Sequence, residues 1–122
     1  MTKRYRDVTR SVSASIAKLR TDIPDVMKGF RALGHAALQD GALDKKTKEL
    51  IALALGVAGH CDACIGYHVE ALVKLGATRA EFEETLGVAV YMGGGPSLMY
   101  AADALAAWEE FSTPREPVAA EI

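Results

Sequence analysis

The stretch Asp44-Lys45-Lys46-Thr47-Lys48-Glu49-Leu50-Ile51-Ala52-Leu53-Ala54-Leu55, followed by His60-Cys61-Asp62-Ala63-Cys64-Ile65-Gly66-Tyr67-His68, decides how this chain folds. Asp44 is a capping residue type, the first turns after it are charged, and Leu50 to Leu55 is apolar all round. That pattern predicts a helix whose second half is buried. The cysteine segment then opens another helix, with Ile65, Val69, Leu72 and Val73 facing inward and Gly76 as its stop. Outward from this pair the period stays helical. Thr78 and Glu81 form a capping box for a helix running through Met92. Gly93-Gly94-Gly95-Pro96 breaks the chain, and Pro96 suits the first turn of a last helix to about Phe111. Upstream, a helix is predicted over Val8 to Leu19. Asp22 and Pro24 mark another start, Val26, Phe30, Leu33 and Ala37 form its apolar stripe, and Gly41 ends it. No strand alternation appears. The expected fold is therefore all-α, a single-domain bundle of about six helices with its core over about 24–111. Residues 112–122, with Pro114 and Pro117 and no apolar stripe, are expected to form a disordered or loosely docked tail.

Composition narrows the function classes. A chain of 122 residues buries about two thirds of its unfolded surface and needs no staples. The net charge of −2 offers no electrostatic reason to bind nucleic acid. The basic run Lys3, Arg4, Arg6 and Arg10, interrupted by Asp7, reads as a solvated N-terminus. The longest apolar stretch, Leu50 to Gly59, is far short of the roughly 18 residues of a membrane span, and the N-terminus has no signal-peptide core. A soluble, cytoplasmic protein is expected. In a reducing compartment a C-x-x-C pair points to catalysis or metal binding rather than a structural bridge.

Cys61 and Cys64 are the only two cysteines. At about 3.6 residues per turn, positions 61, 64 and 68 share one stripe of a helix, so two sulfurs and one imidazole face the same small volume. Two sulfurs so spaced at a helix start close a disulfide with little backbone movement, and a thiolate there meets the positive end of the dipole. The chemistry that needs this is thiol–disulfide exchange. Lowering a thiol pKa from about 8.5 to about 7 raises its thiolate fraction roughly 16-fold at neutral pH. About 5-fold is lost again through reduced nucleophilicity, leaving about 3-fold. Proton delivery by a positioned acid or base contributes more, roughly 10²–10⁴-fold. His68, four residues after Cys64 on the same face, is the candidate for that role. His60 lies just before the helix, where it either shields Cys61 or forms an exposed flank. Asp62 is a helix-start residue whose charge opposes ionisation of the neighbouring thiols.

Glu49, Cys61-x-x-Cys64-x-x-x-His68 and Gly93-Gly94-Gly95-Pro96, on an all-helical chain of this length, together resemble the alkylhydroperoxidase D-like branch of the carboxymuconolactone decarboxylase family. The resemblance covers roughly Pro24 to Leu105. It implies a thiol peroxidase in which Cys61 and Cys64 cycle between dithiol and disulfide, assisted by a Glu49–His68 relay. It also implies a hydroperoxide substrate, an external dithiol reductant of lipoyl or similar type, no metal or organic cofactor, and a trimer or hexamer. The hexamer is favoured for so short a chain. The best-known members carry a further histidine where this chain has Ala63, and they are longer at the N-terminus. Read from the residues alone, Glu49 is an ordinary exposed glutamate near a helix start, though its place at the margin of the buried half suits a carboxylate that passes protons. Cys64 is closer to His68 in register and is assigned the attack on peroxide, and Cys61 the encounter with reductant. The alternatives are a general disulfide oxidoreductase, a decarboxylase-type enzyme, which has no evident use for paired cysteines, and a structural or zinc-binding oligomer. In the zinc reading His60, Cys61, Cys64 and His68 are the ligands, and their crowding within one turn makes tetrahedral closure hard.

Overall fold

The structure is a computed structural model that describes residues 3–114, and the part of the expected tail beyond Pro114 lies outside them. Six helices follow in order: α1 Tyr5–Asp22, α2 Pro24–Ala37, α3 Lys45–Ala58, α4 Asp62–Lys74, α5 Arg79–Gly93 and α6 Gly95–Ser112. No strand occurs among the described residues. The local start and stop signals act as the chemistry requires. Asp44 accepts the Thr47 N–H at 2.8 Å, and Thr78 and Glu81 close a reciprocal capping box. Gly76 takes φ +78° after α4, and its successor Ala77 donates to the Leu72 carbonyl, the arrangement a glycine permits at a helix end.

Helix α3 packs on α4, α5 and α6, α6 packs also on α4 and α5, α1 lies on α4 and α6, and α2 packs on α1 alone. Leu53 and Val57 of α3, Ile65, Val69 and Leu72 of α4, and Phe82 of α5 are fully buried. Each such side chain contributes about 1.5–3 kcal/mol of transfer free energy. Against them α6 presents Ala101, Ala104 and Ala107, small side chains that let it approach closely. Trp108 meets Phe82 at a ring separation of 4.7 Å.

Three expectations need correction. The first helix is longer than Val8 to Leu19, because Tyr5 is buried and its own N–H and that of Arg6 bond to the Glu110 carboxylate at 2.8 and 3.0 Å. A cap supplied from 105 residues away has no local signal. Asp22 consequently ends α1 rather than starting α2, and α2 ends at Ala37, four residues before Gly41. Next, the apolar half of α3 is not buried all round: Leu53 is enclosed, but Ile51 and Leu55 are 45% and 69% exposed. Finally, the basic N-terminus is not simply solvated. Lys3 and Arg6 are engaged in ion pairs, and Arg6 lies over the Phe111 ring.

The glycine–proline break joins α5 to α6 in one step. Gly94 has φ +77°, a backbone that favours glycine, and Pro96 sits in the first turn of α6. A β-carbon at Gly93 would stand 2.7 Å from the Cβ of the buried Ser97 and closer still to its hydroxyl. Gly93→Ala is therefore expected to lower stability by about 1–3 kcal/mol in urea unfolding, whereas an undisturbed midpoint would mean that Ser97 relaxes freely.

Candidate active site

The turn between α3 and α4 does two jobs with the same residues. His60 N–H bonds to Val57 O at 3.2 Å and Cys61 N–H to Gly56 O at 2.9 Å, closing the end of α3 in a pattern that needs a left-handed residue at position 60. His60 supplies it with φ +55°, a position where glycine is usual, and its ring stacks on Tyr100 at 4.7 Å and 6°. The next residue, Cys61, caps α4: its Sγ accepts the Cys64 N–H at 3.2 Å. A sulfur that accepts a helix-start N–H is better stabilised as a thiolate than as a thiol.

Cys61 and Cys64 are disulfide-bonded, with Cα atoms 5.2 Å apart. Gly56 opposes Cys64 across the α3–α4 crossing, where a β-carbon would lie 3.2 Å from the Cys64 Cβ. That close approach brings Glu49, two turns earlier on α3, to the face that carries His68. Glu49 Oε2 lies 2.7 Å from His68 Nδ1, with the carboxylate side chain 4% exposed and the imidazole 27%. The plain residue-level expectation of an exposed Glu49 is thus corrected: it is buried, and His68 is its hydrogen-bonding partner. A buried carboxylate needs such a partner to offset its desolvation. With Nδ1 held by Glu49, Nε2 is the ring nitrogen left for exchange with the sulfur one turn earlier.

Cys64 and His68 lie in α4, Cys61 is the extended residue that caps it, and Glu49 reaches His68 from α3. His60 is exposed and bound to Tyr100 rather than to the other three. Among the described residues no three His, Cys, Asp or Glu side chains are grouped to hold a metal ion. Asp62, which the sequence placed as an opposing charge, is ion-paired. Lys3 Nζ lies 2.9 and 3.0 Å from its two oxygens, and the Tyr5 hydroxyl donates to Oδ1 at 3.0 Å. Neither partner is visible from the motif, since they lie 59 and 57 residues away.

Residues 24–107 match the carboxymuconolactone decarboxylase family. A crystal structure of an apo member of that family from Legionella pneumophila is similar to the chain at 60% identity and a TM-score of 0.88, over 89% of this chain and 97% of that one. A family protein of Thermotoga maritima, for which a part in the antioxidative response has been suggested, is similar at 30% identity and a TM-score of 0.76, over 84% and 87% of the two chains. An uncharacterised protein of Cupriavidus necator is 45% identical over 83 residues, 68% of this chain and 74% of its own length.

Proposed function

The chain belongs to the carboxymuconolactone decarboxylase family, and from that premise we propose that it is a thiol peroxidase working through Cys61 and Cys64. The observation that carries the proposal is the buried Glu49–His68 pair, 2.7 Å apart, together with a bonded Cys61–Cys64 pair at the start of the helix that carries His68. A purely structural disulfide has no use for a carboxylate–imidazole couple beside it.

In the reduced protein His68 takes the Cys64 proton, and Glu49 steadies the imidazolium. The Cys64 thiolate attacks the terminal oxygen of a hydroperoxide: an S–O bond forms, the O–O bond breaks, and sulfur loses two electrons. His68 returns its proton to the departing alkoxide, which leaves as an alcohol. The Cys61 thiol then attacks the sulfenic sulfur, water leaves, and the disulfide seen in the structure results. An external dithiol of lipoyl type reduces it by exchange, starting at Cys61, and is itself oxidised to its disulfide. The cycle needs a reducing compartment to supply that donor.

The test is consumption of several alkyl hydroperoxides with lipoamide, thioredoxin-type and glutathione-type donors side by side. Turnover with a dithiol donor supports the proposal. Disulfide exchange between donors with no loss of peroxide would make the protein a general disulfide oxidoreductase instead.

The same reading includes a homo-oligomer, a hexamer or trimer. Val26, Phe30 and Leu33 of α2 are 65%, 71% and 65% exposed, and Leu55, Tyr91 and Met92 add 69%, 84% and 76% from α3 and α5. An apolar stripe on a helix that packs only on α1 is the surface a second copy would cover. No helix among the described residues is long and apolar enough to cross a membrane. Light scattering is expected to give three or six times the 13.0 kDa chain mass, and a single species near 13.0 kDa across a concentration series would overturn the assembly.

A further inference from the structure

Asp62 is out of place beside a dithiol. As the first residue of α4 its charge favours the helix, but it directly follows Cys61, where the same charge opposes a thiolate. The start of the chain answers this conflict. The Lys3 ammonium bridges both Asp62 oxygens and Asp103 Oδ2, the last at 3.2 Å, and stands 5.7 Å from the ring centres of both Tyr5 and Tyr100. Tyr100 is in turn stacked on His60, the residue before Cys61.

This is a built arrangement rather than a stray surface pair. Tyr5 is 1% exposed, its hydroxyl bonds to Asp62, and its backbone is fixed to Glu110. The ionisable groups around the centre are Lys3 just before α1, Tyr5 from α1, Glu49 from α3, His60 in the turn, Asp62 and His68 from α4, and Tyr100 and Asp103 from α6. The bond to Asp62 holds the Lys3 ammonium above its usual range, and burial followed by the Asp62 bond pushes the Tyr5 hydroxyl upward. Both donors therefore keep their protons across the range in which thiols titrate, so the clamp on Asp62 does not switch off there.

We propose that Lys3 is a positioning residue of the dithiol centre, holding Asp62 neutralised against Tyr5 so that α4 keeps its acidic first residue while Cys61 and Cys64 still form a thiolate. The inference rests on the redox reading of the cysteines, but its test uses no peroxide, so failure of peroxide turnover leaves it standing or falling on its own.

The experiment follows the reactive thiol of the reduced protein by ultraviolet thiolate absorbance and by alkylation rate against pH. Lys3→Met is expected to raise the thiol pKa by about half a unit, and to move the equilibrium with glutathione toward the protein disulfide by up to about 3-fold. Lys3→Arg should restore wild-type values. Asp62→Asn should lower the pKa, and in that background Lys3→Met should change it much less. A folded Lys3→Met protein with an unshifted thiol overturns the proposal. So does an equal shift with and without Asp62, which would make Lys3 a nearby cation that does not act through the carboxylate. Should Lys3→Met lose its helical circular dichroism, Lys3→Gln decides in its place: a folded Lys3→Gln protein with an unshifted thiol overturns the proposal.

Discussion

Cys64→Ser is expected to remove peroxide turnover entirely, a loss of at least about 10⁴-fold, because it takes away the thiol assigned to the attack and leaves Cys61 with no partner for the disulfide that a reductant recycles. Cys61→Ser should abolish turnover for a different reason. The first oxidation still proceeds, but the sulfenic acid on Cys64 has no resolving partner, so one equivalent of peroxide is consumed and a sulfenic-acid trap labels Cys64. The structure supports this division of labour in part. Cys64 is one turn from His68, whereas Cys61 stands at the helix start and accepts the Cys64 N–H at 3.2 Å. That last contact stabilises Cys61 as the sulfur released when the second thiol of the reductant resolves the mixed disulfide formed at Cys61. Trapping at Cys61 in Cys64→Ser, with none at Cys64 in Cys61→Ser, would reverse the order.

The relay should fail as a unit. Glu49→Gln keeps the volume and a polar atom near His68 Nδ1, in a position where the native carboxylate is 4% exposed, so it removes charge with little change in packing. His68→Gln removes the proton carrier itself. Each is expected to cost on the order of 10²-fold or more in peroxide reduction, about 2.7 kcal/mol of transition-state stabilisation, with the disulfide still able to form. The double variant should lose little beyond the worse single one, since Glu49 acts only through His68. A loss equal to the product of the two single losses would make them independent residues. A His68→Gln enzyme within about 3-fold of wild type would take the relay out of the mechanism.

What the sequence made legible divides by distance along the chain. Asp44, Gly76 and the Thr78–Glu81 box act within one turn, so their meaning was available from neighbours alone, and the helices they bound appear where expected. Placing Cys64 and His68 on one helix needed only the helical period, and Cys61 is the extended residue that caps it. Glu49 was different. Its residue type and position predict exposure, and only the resemblance to a family pointed to His68, because pairing across 19 residues depends on how α3 crosses α4 at Gly56. His60 takes the left-handed region although Gly59, the residue type that favours it, stands beside it, and nothing in the local sequence marks that choice. The Lys3–Asp62 bridge and the Glu110 cap lay beyond any local reading. The stripe on α2 was read correctly as a stripe, but periodicity reports which side of a helix is apolar and not what covers it.

The Glu110 carboxylate that caps α1 also brings the two ends of the described chain together: Arg6 Nη2 donates to the Thr113 carbonyl at 3.1 Å. In connectivity the described chain is therefore close to a ring. The Gln39–Asp44 segment between α2 and α3 is exposed throughout, and α2 touches only α1. A circular permutant opened there, with a linker joining the old termini, would begin with α3 and α4 and so carry Glu49, Cys61, Cys64 and His68 in its first helical hairpin, leaving α1 and α2 to dock last.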